Sequence, residues 1–164
     1  VFNILANGGE WIQPHLVREV VGPDGTETKP APAARRRVVS ERTAKQMTAM
    51  MTNVVKVGTG TSAAIDGYSV AGKTGTPKKA EHGAYQVGAY VPNFAGFVPA
   101  ESPRLSAIVV LDEPHPLYYA AEVAAPVFAR IQQYGLRLFR IPPPSHGLGV
   151  VVPAADAANI NRRD

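Results

Sequence analysis

Gly67-Tyr68-Ser69-Val70-Ala71-Gly72-Lys73-Thr74-Gly75-Thr76-Pro77 is the stretch on which the reading of this chain turns. It sets a lysine among small hydroxyl residues and glycines, with a proline directly after. A cation, hydroxyls and accessible backbone N–H groups brought this close together suit an anion: a carboxylate, a phosphate or a developing oxyanion. Two unrelated patterns fit the same letters. Gly67, Gly72, Lys73 and Thr74 have the spacing of a phosphate-binding loop. Lys73-Thr74-Gly75 can instead be taken as a triplet along a β-strand.

The flanks separate these two. A phosphate loop needs a glycine-rich turn after a buried strand, with a helix opening at Lys-Thr. Tyr68, Ser69, Val70 and Ala71 read as strand rather than turn, and Thr61 to Asp66 is no buried strand. Gly75, Thr76 and Pro77 do not start a stable helix. One feature speaks for a nucleotide site: Ala107 to Leu111 is an apolar run ending in Asp112-Glu113, a pair suited to Mg²⁺. The strand reading places Lys73 and Gly75 on one face of an edge strand and Thr74 and Thr76 on the other. Gly75 then leaves room for something to lie against the strand, whose backbone can pair with an extended peptide.

Upstream, residues 1–7 read as the last turns of a helix stopped by Asn7-Gly8-Gly9. So short a helix is marginal alone, and the chain opens on Val1 rather than Met, so truncation at the N-terminus is expected. His15 to Val21 reads as a short strand, Gly22 to Gly25 as a turn, and Thr26 to Arg37 as an exposed loop with Arg35-Arg36-Arg37 solvated. Trp11 reads as a packing anchor. Ser40 caps the clearest helix, with Glu41 in its first turn. Ala44, Met47, Met51, Val54 and Val55 form its apolar face and Gly58 ends it. Gly58 to Ser62 reads as a flexible connector.

Downstream, Pro77 to Gly83 reads as a polar loop. Tyr90 to Val98 is a strand in which Gly96 marks a bulge or a close approach. Leu105 to Leu111 is nearly all apolar, which predicts a central strand covered on both faces. Strands near 68–76, 90–98 and 105–111 with short connections predict antiparallel neighbours. Asp112 to Pro116 breaks the chain. A last helix is expected over 119–138, with Pro126 in its first turn and Val123, Val127, Ile131, Tyr134 and Leu138 as its core face. Residues 142–164, Pro/Ala-rich and without period, are expected to be a disordered tail.

The chain has 164 residues, enough for one domain with one sizeable core. Its net charge of +4 is mild, and its basic residues are dispersed apart from the arginine triplet, so nucleic acid is not an expected partner. The absence of cysteine excludes disulfides and thiolate metal sites. His15, His82, His115 and His146 are scattered without ligand spacing, so neither metal nor cofactor is expected. Asp112-Glu113, followed by Pro-His-Pro, reads as a strand-end loop. There is no transmembrane run and no signal peptide.

From Ala6 to Pro143 the chain resembles the C-terminal half of the transpeptidase domain of class B penicillin-binding proteins, the cell-division and elongation enzymes. The resemblance is carried by Ala6-Asn7-Gly8-Gly9, Val54-Val55-x-x-Gly58-Thr59-Gly60 and Val70-Ala71-Gly72-Lys73-Thr74-Gly75-Thr76. It continues through Asn93 to Pro99, Pro103-Arg104-Leu105, Val110 to Pro114 and Ala124 to Phe128, all in the family's order. Tyr118-Tyr119-Ala120-Ala121 departs from it, since relatives often carry glycines there. The fold implied is α/β of the α+β type: the three-layer β-lactamase/D,D-peptidase-like fold with an antiparallel sheet, only its C-terminal portion present, over residues 1–141.

The resemblance implies peptidoglycan cross-linking through a serine acyl-enzyme, with β-lactams acylating the same serine. Lys73 would polarise the hydroxyl network and attract the terminal carboxylate of a D-Ala-D-Ala stem peptide or of a β-lactam. Thr74 and Thr76 would give that carboxylate hydroxyls. The Thr76 N–H would be an oxyanion donor, making Lys73 and Thr76 the catalytic pair, and Gly75 would keep the strand accessible. Division or elongation membrane proteins are implied partners. The implied location is the extracytoplasmic face of the bacterial membrane, anchored by an N-terminal segment absent from this chain. The family also requires Ser-x-x-Lys and Ser-x-Asn. No serine here is followed by Lys three places on or by Asn two places on. The chain alone is therefore expected to be inactive, and a non-catalytic remnant that binds cell-wall peptide or a division partner is the second reading.

Overall fold

The computed structural model describes residues 1–144. Of the tail expected over 142–164, residues 145–164 lie outside the described residues. Pro142 to Pro144 have no regular structure, yet the chain is tied down here. Ile141 is buried and its carbonyl accepts the Tyr68 hydroxyl at 2.7 Å.

The N-terminal helix is α1 (Phe2–Ala6), and Gly8 and Gly9 follow it with positive φ, as the Asn-Gly-Gly stop predicts. Two small ribbons come next. β1 (Glu10–Ile12) is the first, and β2 (Val20–Val21) pairs antiparallel with β3 (Glu27–Thr28) across the expected Gly22 to Gly25 turn. β4 (Arg35–Arg37) pairs with β1, setting Trp11 opposite Arg36. The expected strand over His15 to Val21 is thus confined to its last two residues, and the expected loop over Thr26 to Arg37 contains two strands. The reason lies in long-range partners: Arg37 reaches the Glu10 carboxylate at 3.0 Å and the Gly8 carbonyl at 3.0 Å.

α2 (Glu41–Val57) starts where the Ser40 hydroxyl accepts the Thr43 N–H at 3.0 Å and ends at Gly58. Its buried residues are Ala44, Met51 and Val55; Met47 stays exposed. The connector after it holds a 3₁₀ turn, Thr61–Ala63.

The main sheet has three strands: β5 (Ala71–Gly75), then, after a hairpin, β8 (Asn93–Val98) and β9 (Leu105–Val110). All pairs are antiparallel and the order is β5-β8-β9. The hairpin is β6 (Lys78–Glu81) with β7 (Ala84–Tyr90), so the polar loop expected over Pro77 to Gly83 holds a strand and the hairpin turn. His82 and Gly83, both with positive φ, make its two-residue turn. α3 (Ala120–Val123) and α4 (Ala125–Leu138), with Pro126 in the first turn of α4, close the fold.

Alternation along β8 builds three layers. Phe94 and Val98 face a core with Val70, Val109, Ala124, Phe128 and Leu136, the side on which α3 and α4 pack. Phe97 faces the other side with Ala71, Met51 and Ala100, against Phe2 and Leu5 of α1. The Phe94 and Phe128 rings meet at 4.7 Å. Gly72 and Gly96 face each other across β5 and β8, where added side chains would meet the Phe94 ring and the Ala71 carbonyl at 2.5 Å. Gly96 is therefore a close approach and not a bulge.

Two expectations about burial are corrected. Among the described residues β9 ends the main sheet rather than lying at its centre. Ile108 and Val110 are exposed on the α1 face. The buried face of α4 is Ala125, Phe128, Gln132 and Leu136; Val127, Ile131, Tyr134 and Leu138 are exposed. Ala125 and Gly135 let α4 sit close to the sheet, with Leu105 directly under Gly135.

Candidate functional site

The Lys-Thr-Gly-Thr segment lies along β5 and just past its end, as the strand reading predicts. No helix opens at Lys73-Thr74; the next element is the strand β6. That geometry sets the phosphate-loop reading aside. Among the described residues no strand pairs with the outer edge of β5.

The side chains at this edge form a polar chain. The Lys73 ammonium donates to the Thr74 carbonyl at 2.9 Å and to the Thr74 hydroxyl at 3.1 Å. The Thr74 hydroxyl also meets the Thr59 hydroxyl at 2.9 Å. Thr59 sits between Gly58 and Gly60, where α2 exits, so the end of the longest helix meets the strand at this point. Sequence reasoning quoted Gly58-Thr59-Gly60 but did not place Thr59 at the site. A threonine flanked by glycines at a helix exit was the available signal.

Gly75 has a different neighbour from the one expected. A Cβ there would meet the Asn93 side-chain oxygen at 2.7 Å. Its cross-strand partner Asn93 fills the space, with its amide donating to the Val91 carbonyl at 3.2 Å. The room that glycine provides at this position is used by the protein itself.

Thr76 is half-buried, and its hydroxyl oxygen accepts the Ala120 N–H at 3.2 Å. Ala120 is the first residue of α3, so this hydroxyl takes up one of the otherwise unpaired N–H groups at the helix start. One lone pair is thereby used, and the hydroxyl proton is left to point elsewhere. The site thus includes the Tyr118 to Ala121 segment, where the sequence departs from its family pattern. Tyr118 stacks on Tyr90 with centroids 4.3 Å apart, and Tyr119 leans on Tyr118 at 4.5 Å. Tyr118 donates its hydroxyl proton to the Tyr119 hydroxyl oxygen at 3.3 Å, and this bond pushes the Tyr118 phenol above its ordinary pKa.

Beside these rings, Lys79 of β6 reaches the Asp112 carboxylate at 3.0 Å and the Glu113 carboxylate at 2.6 Å. Hydrogen bonds to Glu113 first and Asp112 second hold its ammonium protonated well above the usual lysine range. Asp112 and Glu113 are thus partners of a lysine. Among the described residues no group of three or more His, Asp or Glu is placed to hold a metal ion. None of the helices described is long and apolar enough to cross a membrane.

The site is thus an edge strand bearing lysine and hydroxyls, set in an antiparallel sheet between helical layers. Residues 1–133 match the penicillin binding protein transpeptidase domain. The chain belongs to the penicillin-binding protein transpeptidase family, in its class B branch. It is 37% identical over 133 residues to stage V sporulation protein D of Bacillus subtilis, covering 79% of this chain and 21% of that protein. It is 39% identical over 114 residues to the peptidoglycan D,D-transpeptidase FtsI of Buchnera aphidicola, covering 68% of this chain and 20% of that one. Among solved structures it is similar to penicillin-binding protein 3 of Mycobacterium tuberculosis, apo and complexed with aztreonam. Each has a TM-score of 0.78 at 32% identity, covering 87% of this chain and 34% of that chain. The chain spans about a fifth to a third of the length of the relatives it matches.

Proposed function

We propose that residues 1–141 form one wall of the cleft of a class B peptidoglycan D,D-transpeptidase that cross-links stem peptides, with the nucleophilic serine standing on a segment this chain does not carry. The observation that supports this most is the chain of polar groups at the end of β5: Lys73, Thr74 and Thr59 linked at 2.9–3.1 Å, with the Thr76 hydroxyl next along the same edge. In this reading the Lys73 ammonium attracts the terminal carboxylate of D-Ala-D-Ala. The Thr74 and Thr76 hydroxyls donate to it, and the Thr76 backbone N–H faces the developing oxyanion. The outer edge of β5, which no described strand covers, offers its backbone for an extended peptide to lie beside it. A β-lactam carboxylate takes the same groups, in line with the aztreonam complex of the Mycobacterium tuberculosis relative.

The same reading carries a role in cell division, alongside membrane-bound division proteins, on the extracytoplasmic face of the bacterial membrane and with an anchor outside this chain. The test is covalent labelling with a fluorescent penicillin. In the complete protein that carries this chain, Lys73→Ala is expected to lower the acylation rate by roughly 10²-fold or more, the usual size for loss of a key electrostatic group. The isolated chain is expected to take no label. Label on the isolated chain would sink the proposal that the nucleophile lies elsewhere. An unlabelled complete protein would favour the non-catalytic binding remnant instead.

A further inference from the structure

We infer that Lys79 is a positioning residue for the Thr76 hydroxyl, acting through a closed loop of contacts; the inference rests on the transpeptidase reading of the β5 edge. The loop is continuous in the structure. Thr76 and Lys79 are separated only by Pro77 and Lys78. The Lys79 ammonium grips Asp112 at 3.0 Å and Glu113 at 2.6 Å, with its side chain only 27% exposed. Glu113 sits at φ 47°, a left-handed conformation that a residue with a side chain seldom adopts. Two bonds hold it there: its side chain to Lys79, and its own N–H to the Tyr90 carbonyl at 3.0 Å. Tyr90 closes the hairpin beside Val91, whose N–H reaches the Pro77 carbonyl at 2.9 Å. The turn that leaves Glu113 brings Tyr118 onto the Tyr90 ring. Two residues later the Ala120 N–H lands on the Thr76 hydroxyl oxygen at 3.2 Å.

The consequence is directional. A free threonine hydroxyl chooses among three staggered rotamers and can donate along several lines. With one lone pair fixed by Ala120, the Thr76 proton is directed away from α3, toward the edge where a carboxylate would lie. Lys79 touches no ligand in this scheme. It fixes the 112–119 turn, the turn fixes the Ala120 N–H, and that N–H orients the hydroxyl. Breaking the grip frees the turn and lets Thr76 donate elsewhere.

The experiment uses the complete transpeptidase that carries this chain and benzylpenicillin as the probe. Rapid-mixing kinetics separate the dissociation constant of the first complex from the acylation rate constant. Lys79→Met is expected to raise the dissociation constant roughly tenfold, the cost of misaligning one hydrogen bond to a charged group. The acylation rate constant is expected to change less than that, and Lys79→Arg to restore most of the affinity. Hydrogen exchange of the Ala120 amide is expected to quicken in Lys79→Met, which reads the coupling without any ligand. If Lys79→Met does not fold, Glu113→Gln, nearly isosteric and uncharged, reads both quantities in the same directions. Unchanged affinity in a variant of an enzyme that is otherwise acylated normally overturns the inference alone, whether or not the Ala120 amide exchanges faster. A wild-type protein that is not acylated overturns the transpeptidase reading and the positioning role of Lys79 with it.

Discussion

A methyl group at Gly72 has no space to occupy. It would come within 2.5 Å of the Phe94 ring, which is completely buried and wedged against Phe128. Gly72→Ala is therefore expected to lower stability by about 1–3 kcal/mol, the usual cost of overpacking, read as a drop in urea midpoint at unchanged slope. At Lys79 the sign of the pH dependence follows from its raised pKa. A base whose folded pKa lies above its unfolded value contributes stability that is fully present below the unfolded value. That stability is lost only as pH rises through the folded one. The difference in urea midpoint between wild type and Lys79→Met is thus expected to be the same at pH 7 as at pH 9. These two residues differ in how readable they were. The lysine-hydroxyl character of Lys73 to Thr76 was plain in the letters, because their chemistry is local to four neighbours. That Gly72 serves Phe94 and Gly75 serves Asn93 was not, since each glycine meets its neighbour only through strand pairing.

At the scale of elements, α2 behaves as its sequence predicts, because its start and stop are chemical: the Ser40 hydroxyl on the Thr43 N–H, and Gly58 at the end. Ser40→Ala is expected to cost about 1 kcal/mol of stability, measurable by denaturant titration. α4 is the contrary case. Val127, Ile131, Tyr134 and Leu138 repeat at helical spacing and read as the core face, yet they point to solvent. Phe128 and Leu136, flanking Gln132, face the sheet instead. A helix with apolar residues on two sides offers two equally periodic stripes, and the polar Gln132 hid the one that is used. The hairpin of β6 and β7 was missed for a related reason. Lys78 to Glu81 is polar, and its strand character comes from pairing with the Ala84 to Tyr90 segment rather than from its own composition.

For the whole molecule, the open apolar surface matters most. Ile108 and Val110 stand exposed on β9, which no further strand pairs with among the described residues. An exposed apolar edge strand invites pairing with another chain. The isolated chain is expected to self-associate with rising concentration, and Ile108→Lys to shift its sedimentation profile toward the monomer. The sequence by itself determined the family, the strand nature of the Lys-Thr-Gly-Thr segment, the caps of α2 and the antiparallel order of β5, β8 and β9. These rest on short-range chemistry: glycine and proline conformations, hydroxyl caps, and connections too short to cross over. Only the tertiary structure decided which face of α4 is buried, that β9 lies at the edge, and that Thr59, Asn93 and Ala120 complete the surroundings of Lys73 to Thr76. Those outcomes depend on residues far apart in the chain meeting across the sheet, and a hydrogen bond such as Ala120 to Thr76 exists only once the layers between them have packed.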